Sequence, residues 1–423
     1  MKFIRDLIHP FGIFVGLRKK FIYTSYRYQY DLLMTGKKTM FAFRIPLFMA
    51  VIVIPNLFTG INQSYSEGTF VYVSNGEDGD IAVMQLNPET GDLRMIEKVA
   101  AGPNVKHMAL SPDHRFLYAS LRSEPYSVIT YLINSETGNL IQLSKESLPD
   151  NMVYISADQT GRFLLSVSYT DAKIAVNPID LNGFVRSEPV QVISTGPNPH
   201  SILVDRSNQF VYVPHLGNDQ VKQFLFDEST GVLTPNDPAV VLTKDGSGPR
   251  HLDFSPNNRF VYVSTETDGM VYSYKIDNKT GILTEIQRIS AMPPTISPEP
   301  STTEAEYAAP RIEDGEVASS GVADIHITLD GKWLYVSERA NSTITAFAVD
   351  RHSGNLTYIG SYDTENIPRG INIDPRGNFV IVAGQESGYV SVHAINQETG
   401  ELKPLDRYES GKDPKWIEIV EFT

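Results

Sequence analysis

The chain of 423 residues contains no cysteine. Disulfides, thiolate-ligated metals and cysteine nucleophiles are therefore all excluded. Basic residues are also scarce, because 36 Lys and Arg face 50 Asp and Glu and leave a net charge of −14. A body this acidic argues against nucleic acid as a partner, so any anion-binding site must be a local exception.

Several sequence signatures of catalysis are absent as well. There is no glycine-rich phosphate loop between a strand and a helix, no zinc-type histidine spacing and no nucleophile elbow. Asp324 and His326, two residues apart on a predicted strand, share a face and form the one candidate metal pair. We nevertheless predict neither a metal nor any other cofactor.

No apolar run reaches the roughly 20 residues that a membrane-spanning helix needs. Residues 45–58, IPLFMAVIVIPNLF, are uncharged and have the length expected for the apolar part of a signal peptide. Residues 1–45 before this run hold nine Lys and Arg against two Asp and Glu. This order predicts export or membrane anchoring through 45–58, with the body outside the cytosol. The alternative is a cytoplasmic protein, because the leader is long and no clear A-x-A cleavage site follows the run.

From residue 69 onward the sequence repeats. Each unit contains an aromatic residue that leads an alternating apolar stretch and a polar turn. The seven stretches are TFVYVSNGEDGDIAV at 69, RFLYASLRSEPYSVIT at 115, RFLLSVSYTDAKIAV at 162, QFVYVPHLGNDQVKQF at 209, RFVYVSTETDGMVYSY at 259, KWLYVSERANSTITAF at 332 and NFVIVAGQESGYVSVH at 378. Their leading aromatics are 46, 47, 47, 50, 73 and 46 residues apart, which is typical of four-stranded propeller blades. The longest spacing contains the insert 292–321, rich in Pro, Ser, Thr and Glu, which we expect to be mobile.

The fifth unit shows the four strands within one repeat. Alternation predicts strands at HLDFS, RFVYVS, MVYSYKID and ILTEIQRI, separated by PNN, TETDG and NKTG. Related turns, among them NPETG, NSETG and NQETG, recur between the third and fourth strands of other units. In these turns Asn or Asp starts the turn and Gly supplies a positive φ, so we interpret them as hairpin corners.

The two ends of the repeat complete each other. The C-terminal PKWIEIVEF matches a first strand but has no second strand after it, whereas the first unit lacks a first strand. Pairing the two ends removes an open sheet edge. We therefore predict an all-β fold: a seven-bladed β-propeller over residues 69–423, with four antiparallel strands per blade and the first blade closed by the C-terminal strand. Residues 1–68 form a separate leader, and a monomer is expected.

Basic residues gather at one end of the predicted propeller. The start of each first strand and the loop between the second and third strands lie at the same end of a blade, where a rigid scaffold presents binding groups. The basic residues there are Lys106, His107, Arg122, His200, His215, Arg250, His251, His326, Arg339, Arg369 and Lys415. Their companions in the loops are Tyr169, Asp219, Glu266 and Gln385. This concentration of positive charge predicts a small anionic or oxyanion-forming ligand. The alternative is that these residues stabilise the junctions between blades.

Six stretches resemble a known family. They are NPHSILVD, GSGPRHLDFSP, VSTETDG, ADIHITLDGKWLYVSERANSTITAF, PRGINIDPRGNFVIVAGQESG and DPKWIEIV. They resemble the propeller-type 6-phosphogluconolactonases of bacteria, and the likeness runs from residue 69 to the C-terminus. The same superfamily includes the fungal 3-carboxy-cis,cis-muconate cyclases, so the resemblance implies the fold more firmly than the substrate. By position, it implies functional residues at Arg122, His200, Arg250, His251, Glu266, Asp324, His326, Arg339, Arg369 and Gln385.

The resemblance implies metal-independent hydrolysis of an anionic sugar lactone, with 6-phosphogluconolactone as the expected substrate. Glu266, His200 or His251 would activate water, and Arg250 and Arg339 would stabilise the oxyanion. The remaining candidates would bind the substrate: Lys106, Arg122, Asp324, His326, Arg369 and Gln385. A lactonising cyclase is one alternative. A non-catalytic exported propeller that binds a small anion or a protein is the other.

Overall fold

The computed structural model describes residues 68–293 and 321–422. The basic leader with its apolar run 45–58, and the expectation that the insert is mobile, concern residues outside this described part. Within it the chain forms strands and one short 3-10 turn, Leu216–Asn218. The described residues contain no helix with the length and apolar character to cross a membrane.

The strands form seven antiparallel sheets of four. The inner strands, which pack in a ring around the central channel, are β4 (Val105–Leu110), β8 (Met152–Ala157), β12 (Leu203–Val204), β16 (Pro249–Phe254), β20 (Val322–Ile327), β24 (Pro368–Ile373) and β28 (Pro414–Phe422). The second strands are β1 (Gly68–Asn75), β5 (Phe116–Leu121), β9 (Phe163–Ser168), β13 (Phe210–His215), β17 (Phe260–Thr265), β21 (Trp333–Glu338) and β25 (Phe379–Gly384). The third strands are β2 (Asp80–Leu86), β6 (Ser127–Ile133), β10 (Lys173–Pro178), β14 (Gln220–Asp227), β18 (Met270–Ile276), β22 (Thr343–Val349) and β26 (Tyr389–Ile395). The outer strands are β3 (Leu93–Ala100), β7 (Leu140–Ser147), β11 (Gln191–Ser194), β15 (Val232–Leu242), β19 (Leu283–Ser290), β23 (Leu356–Asp363) and β27 (Leu402–Glu409).

The first blade is assembled from both ends of the propeller. Strand β28 pairs with β1 from Gly68 opposite Phe422 to Asn75 opposite Pro414. Every other blade runs from its inner to its outer strand in chain order. The structure therefore confirms the predicted seven-bladed ring and its closure by the C-terminal strand.

The repeated aromatic and the repeated turn glycine are two halves of one contact between neighbouring blades. Each turn glycine packs on the leading aromatic of the preceding blade, in the pairs Gly91–Phe379, Gly138–Phe70, Gly183–Phe116, Gly231–Phe163, Gly281–Phe210, Gly354–Phe260 and Gly400–Trp333. Tyrosines two residues after the aromatic donate hydrogen bonds to four of these glycine carbonyls. Their distances are 2.9 Å for Tyr72–Gly138, 3.2 Å for Tyr118–Gly183, 2.7 Å for Tyr212–Gly281 and 3.0 Å for Tyr335–Gly400. The aromatic and the glycine therefore recur in the sequence because each pair joins two adjacent blades.

We expect Gly281→Ala to destabilise the propeller through this contact. A Cβ on residue 281 would lie 2.2 Å from Cδ1 of Phe210, and the residue has a φ of +71°. Overpacking costs about 1–3 kcal/mol, and the positive φ adds about 1–2 kcal/mol. Gly246→Ala is the matched control, because Gly246 has a φ of +76° and no atom within 4 Å of the added Cβ. Denaturant unfolding of both variants measures the difference, and equal losses would show that the Phe210 contact contributes nothing.

Candidate active site

Backbone hydrogen bonds hold the loops that carry Glu266 and Arg339. The Glu266 N–H donates to the carbonyl of Gly248, just before β16, at 2.8 Å. The Arg339 N–H and its Nε both donate to the carbonyl of Gly321, just before β20, at 3.1 Å. Each loop between a second and a third strand is therefore tied to the start of the inner strand of its own blade.

Glu266 lies between two guanidinium groups. Its Oε2 is 2.7 Å from Nε of Arg250, and its Oε1 is 3.1 Å from Nη2 of Arg339. Both arginine side chains are 2% exposed and the glutamate 12%. Burial opposes ionisation of Glu266, but Arg339 and Arg250 outweigh it and lower its pKa. The glutamate is therefore an anion that holds both arginines in place.

This ion-pair cluster forms part of the wall of a cavity of about 430 Å³, here called the mouth cavity. Its lining residues are Arg122, Val153, Tyr169, Thr170, Asn198, His200, Arg250, Glu266, Arg339 and Arg369. Four guanidinium groups against one carboxylate give this wall a positive charge in an acidic protein. Six of the eleven predicted site residues are brought together here, and the charge suits an anionic ligand.

Arg122 and Arg369 are the other two guanidinium groups in the wall of the mouth cavity. Nε of Arg122 donates to Oδ1 of Asn151 at 2.6 Å, and Nη1 of Arg369 donates to Oε1 of Gln385 at 3.5 Å. Burial, together with Arg250 and Arg339, lowers the pKa of Arg369 to about 9. Arg369 is still a cation at neutral pH. Gln385 contacts Arg369 without lining the cavity itself.

His200 is the histidine that lines the mouth cavity. It is buried, and its Nδ1 has no hydrogen-bond partner among the described residues. Burial and the positive charge of Arg250 lower its pKa well below 6.5. The imidazole is therefore neutral at physiological pH, and a neutral imidazole carries one ring nitrogen that can accept a proton.

His251 lies one residue further along β16 and belongs to a different network. Its Nε2 accepts from Nη1 of Arg250 at 3.0 Å, so the ring carries its proton on Nδ1 and donates it to Oδ1 of Asp324 at 2.8 Å. Burial and Arg250 lower the pKa of His251 to about 4. Both ring nitrogens are occupied, so this histidine orients Arg250 from behind the mouth cavity.

Asp324 is the centre of that buried network. It accepts the N–H groups of Ile325 and Ile371 at 3.0 Å, and its Oδ2 lies 3.4 Å from Nε2 of His326. Burial lowers the pKa of His326, but Asp324 outweighs it and raises the pKa to about 9. Neither Asp324 nor His326 lines the mouth cavity. Among the described residues no group of three or more His, Asp or Glu is placed to hold a metal ion.

Two further predicted residues lie elsewhere around the channel. Lys106 lines a second, smaller space on the channel axis, here called the axial cavity, together with His251. His215, counted among the basic residues of this end, has Nε2 2.7 Å from the Thr195 hydroxyl and Nδ1 2.8 Å from the Val213 carbonyl. The contacts of His215 are those of a structural residue.

Sequence reasoning missed part of the mouth-cavity wall. Asn198, Thr170 and Val153 line it and were not predicted. Asn198 has a φ of +51°, and Asn104 in the corresponding GPN segment has a φ of +58°. The repeated GPN before two inner strands was the signal available for Asn198. Val153 and Thr170 have no such signal.

Comparisons with known proteins identify the family and support the fold. The family model described as "Lactonase, 7-bladed beta-propeller" matches residues 65–419. Proteins named 6-phosphogluconolactonase from Yersinia pseudotuberculosis and Serratia proteamaculans are 36% and 37% identical over 350 residues, covering 82% and 83% of this chain and 97% and 98% of theirs. The solved periplasmic gluconolactonase PpgL of Pseudomonas aeruginosa has a TM-score of 0.72 and 25% identity, covering 84% of this chain and 99% of its own. These findings confirm the resemblance stated from the motifs.

Proposed function

The chain belongs to the lactonase family of seven-bladed β-propellers, and from this premise we propose that it hydrolyses a sugar lactone, with 6-phosphogluconolactone as the first candidate. The observation that carries the proposal is Glu266 held between Arg250 and Arg339 in the wall of a cavity that also presents the neutral imidazole of His200. This arrangement combines a proton acceptor with fixed positive charge, the two elements that lactone hydrolysis requires.

The size and charge of the mouth cavity support a single anionic sugar as the substrate. A volume of about 430 Å³ lies at the lower end of the range for small-molecule sites. Arg369 and Arg122, which also line the cavity, would bind a phosphate or carboxylate with charge-assisted hydrogen bonds. The lactone carbonyl would then face Arg250 and Arg339.

In the proposed reaction a water molecule attacks the lactone carbonyl carbon while His200 takes one of its protons. A new C–O bond forms, and the carbonyl electrons move to an oxyanion beside Arg250 and Arg339. When the tetrahedral intermediate collapses, the ring C–O bond breaks and His200 returns the proton to the departing ring oxygen. The products are the open-chain hydroxyl and a carboxylic acid, which releases its proton to solvent.

Glu266 has a supporting role in this scheme. Both of its carboxylate oxygens are engaged by guanidinium groups, Oε2 by Arg250 at 2.7 Å and Oε1 by Arg339 at 3.1 Å, so neither is directed at an attacking water. Its contribution is to fix the direction of two buried guanidinium groups that would otherwise repel each other. We therefore assign the role of general base to His200. Glu266 orients the two oxyanion-stabilising arginines, and His251 helps to orient one of them, Arg250.

A panel of lactones, phosphorylated and unphosphorylated, tests the proposal with the purified full-length protein in the presence and absence of a chelator. We expect turnover to be greatest with a phosphorylated aldonolactone and unchanged by the chelator. Ring closure of a muconate-type acid in the same assay would instead favour the cyclase alternative. Binding of the lactones without turnover would favour the alternative of a non-catalytic binding propeller.

We expect Arg369→Met to raise the KM for a phosphorylated lactone by about 10- to 100-fold, because a charge-assisted hydrogen bond contributes about 1.5–3 kcal/mol. The KM for the unphosphorylated lactone should change far less. Arg376→Met is the matched control, because Arg376 lies in the turn that follows β24 and pairs with Glu421 and Glu89. Steady-state kinetics on both substrates measures the selectivity. An equal rise in KM for the two lactones would show that Arg369 does not recognise the phosphate.

We also propose that the protein is exported. The basic leader and apolar run 45–58 support this location, and PpgL is described as periplasmic. A fusion of residues 1–68 to a reporter that is active only outside the cytosol should be active. The same fusion with two Lys residues in the apolar run is the control. An inactive reporter would favour the cytosol, and activity of both fusions would show that the apolar run is not the signal.

A further inference from the structure

The axial cavity adjoins the mouth cavity and is much smaller. Its volume is about 20 Å³, room for one water-sized particle. Its lining residues come from the inner strands β4, β8, β16, β24 and β28 and from His200, just before β12. Arg250, Arg369 and His200 contribute to the walls of both cavities.

The wall of the axial cavity contains cations and no carboxylate. Lys106, Arg250, Arg369 and Lys415 all line it. Carboxylates outside the wall pair with two of them, Glu266 with Arg250 at 2.7 Å and Asp413 with Lys415 at 2.5 Å. Arg369 forms no ion pair within 4.0 Å in the described part of the chain. Arg369 therefore brings to this wall a buried positive charge without a carboxylate partner among the described residues.

A buried hydrogen-bond donor without a partner belongs to the same wall. Nδ1 of His107 accepts from the Ile155 N–H at 3.3 Å, so the ring carries its proton on Nε2. That Nε2 is buried and has no partner among the described residues. The rings of Tyr154 and Trp416, with centroids 3.7 and 3.8 Å from that of His107, hold the imidazole in place.

We propose that the axial cavity binds one monatomic anion of halide size. A buried N–H donor lacking a partner and four lining cations match an acceptor with full negative charge. The volume, close to that of one water molecule, suits an anion of a single atom. The anion would reduce the repulsion between Arg369 and Lys415 and so stabilise the end of the propeller that carries the mouth cavity.

The pKa of Lys415 agrees with this geometry. Burial, with Arg369 and Lys106, lowers it to about 7 against the opposing effect of Asp413. The other charged or titratable groups in the wall are Arg250 and the histidines. An anion among these groups favours the charged form of Lys415, because opposite charges stabilise each other.

Crystals of the full-length protein grown in bromide test the proposal directly. We expect an anomalous peak in the axial cavity next to Nε2 of His107. In solution, replacing isethionate by chloride at constant ionic strength should raise the Tm by roughly 1–3 °C. A peak confined to the mouth cavity, or ordinary water density on the axis, would overturn the proposal.

Lys415→Met separates a specific site from a general salt effect. We expect this variant to lose the chloride-dependent shift in Tm, whereas Lys403→Met, on the exposed face of β27, should keep it. An equal chloride shift in both variants would contradict the axial site. Should Lys415→Met fail to fold, the bromide position in the wild-type crystal decides by itself. None of these readouts depends on lactone hydrolysis.

Discussion

Removal of residues 414–423 is expected to unfold the whole propeller. These residues include β28, the inner strand of the first blade, which pairs with β1 along its length. Trp416, Ile417, Ile419 and Val420 are buried, and a buried side chain of this size contributes about 1.5–3 kcal/mol. The summed loss is comparable with the roughly 5–15 kcal/mol that stabilises a typical domain. Circular dichroism and thermal melting measure the result.

A shorter truncation is the control for ring closure. A chain that ends at Val420 keeps the pairing of β28 with β1 from Pro414 to Val420. We expect it to fold and to melt slightly below the full-length protein. A cooperative melt near the wild-type Tm after the longer deletion would mean that the seven-bladed ring does not depend on its C-terminal strand.

His200→Gln is expected to lower kcat by about 10²- to 10⁴-fold, the contribution of a positioned general base. The fold should be retained, because Nδ1 of His200 has no partner to lose. If His200 is the base, the wild-type protein should lose activity only at pH values well below 6.5, because the base acts when neutral and the pKa of His200 is lowered. Measurement of kcat across pH on both proteins tests the assignment.

Glu266→Gln should also lower turnover, but through a different route. It leaves Arg250 and Arg339 without their counter-ion, and breaking a buried ion pair costs about 3–5 kcal/mol of stability. Activity must therefore be compared per folded molecule. If His200→Gln keeps the wild-type kcat while a folded Glu266→Gln variant is inactive, the general base is Glu266 and not His200.

His215→Gln is the matched control for these variants. Like His200 it is a buried histidine of the fourth blade, but both of its ring nitrogens have partners in Thr195 and Val213. We expect a lower Tm and a nearly unchanged kcat per folded molecule. Loss of kcat in His215→Gln equal to that in His200→Gln would show that the assay reports blade packing instead of catalysis.

The fold was predictable from the sequence because its determinants are local and repeated. Each blade carries its own alternation, its own turn glycine and its own leading aromatic, and Phe210 with Gly281 shows why the last two recur together. Closure was also predictable. The C-terminal segment matches a first strand with no second strand after it, and the first unit lacks a first strand, so each end supplies what the other lacks. The end of the propeller that bears the candidate site followed from the antiparallel order of the strands.

Only the tertiary structure decided which basic residues share a cavity. Arg250 and His251 are consecutive, yet one lines the mouth cavity and the other bonds to Asp324 behind it. The ion pair of Glu266 with Arg339 joins loops of different blades, which no period in the sequence records. The physical reason is that seven strands converge on one axis, so a shift of one residue along a strand changes the depth of a side chain in the channel. Depth, burial and the nearest charge then determine whether a histidine accepts a proton or only orients its neighbour.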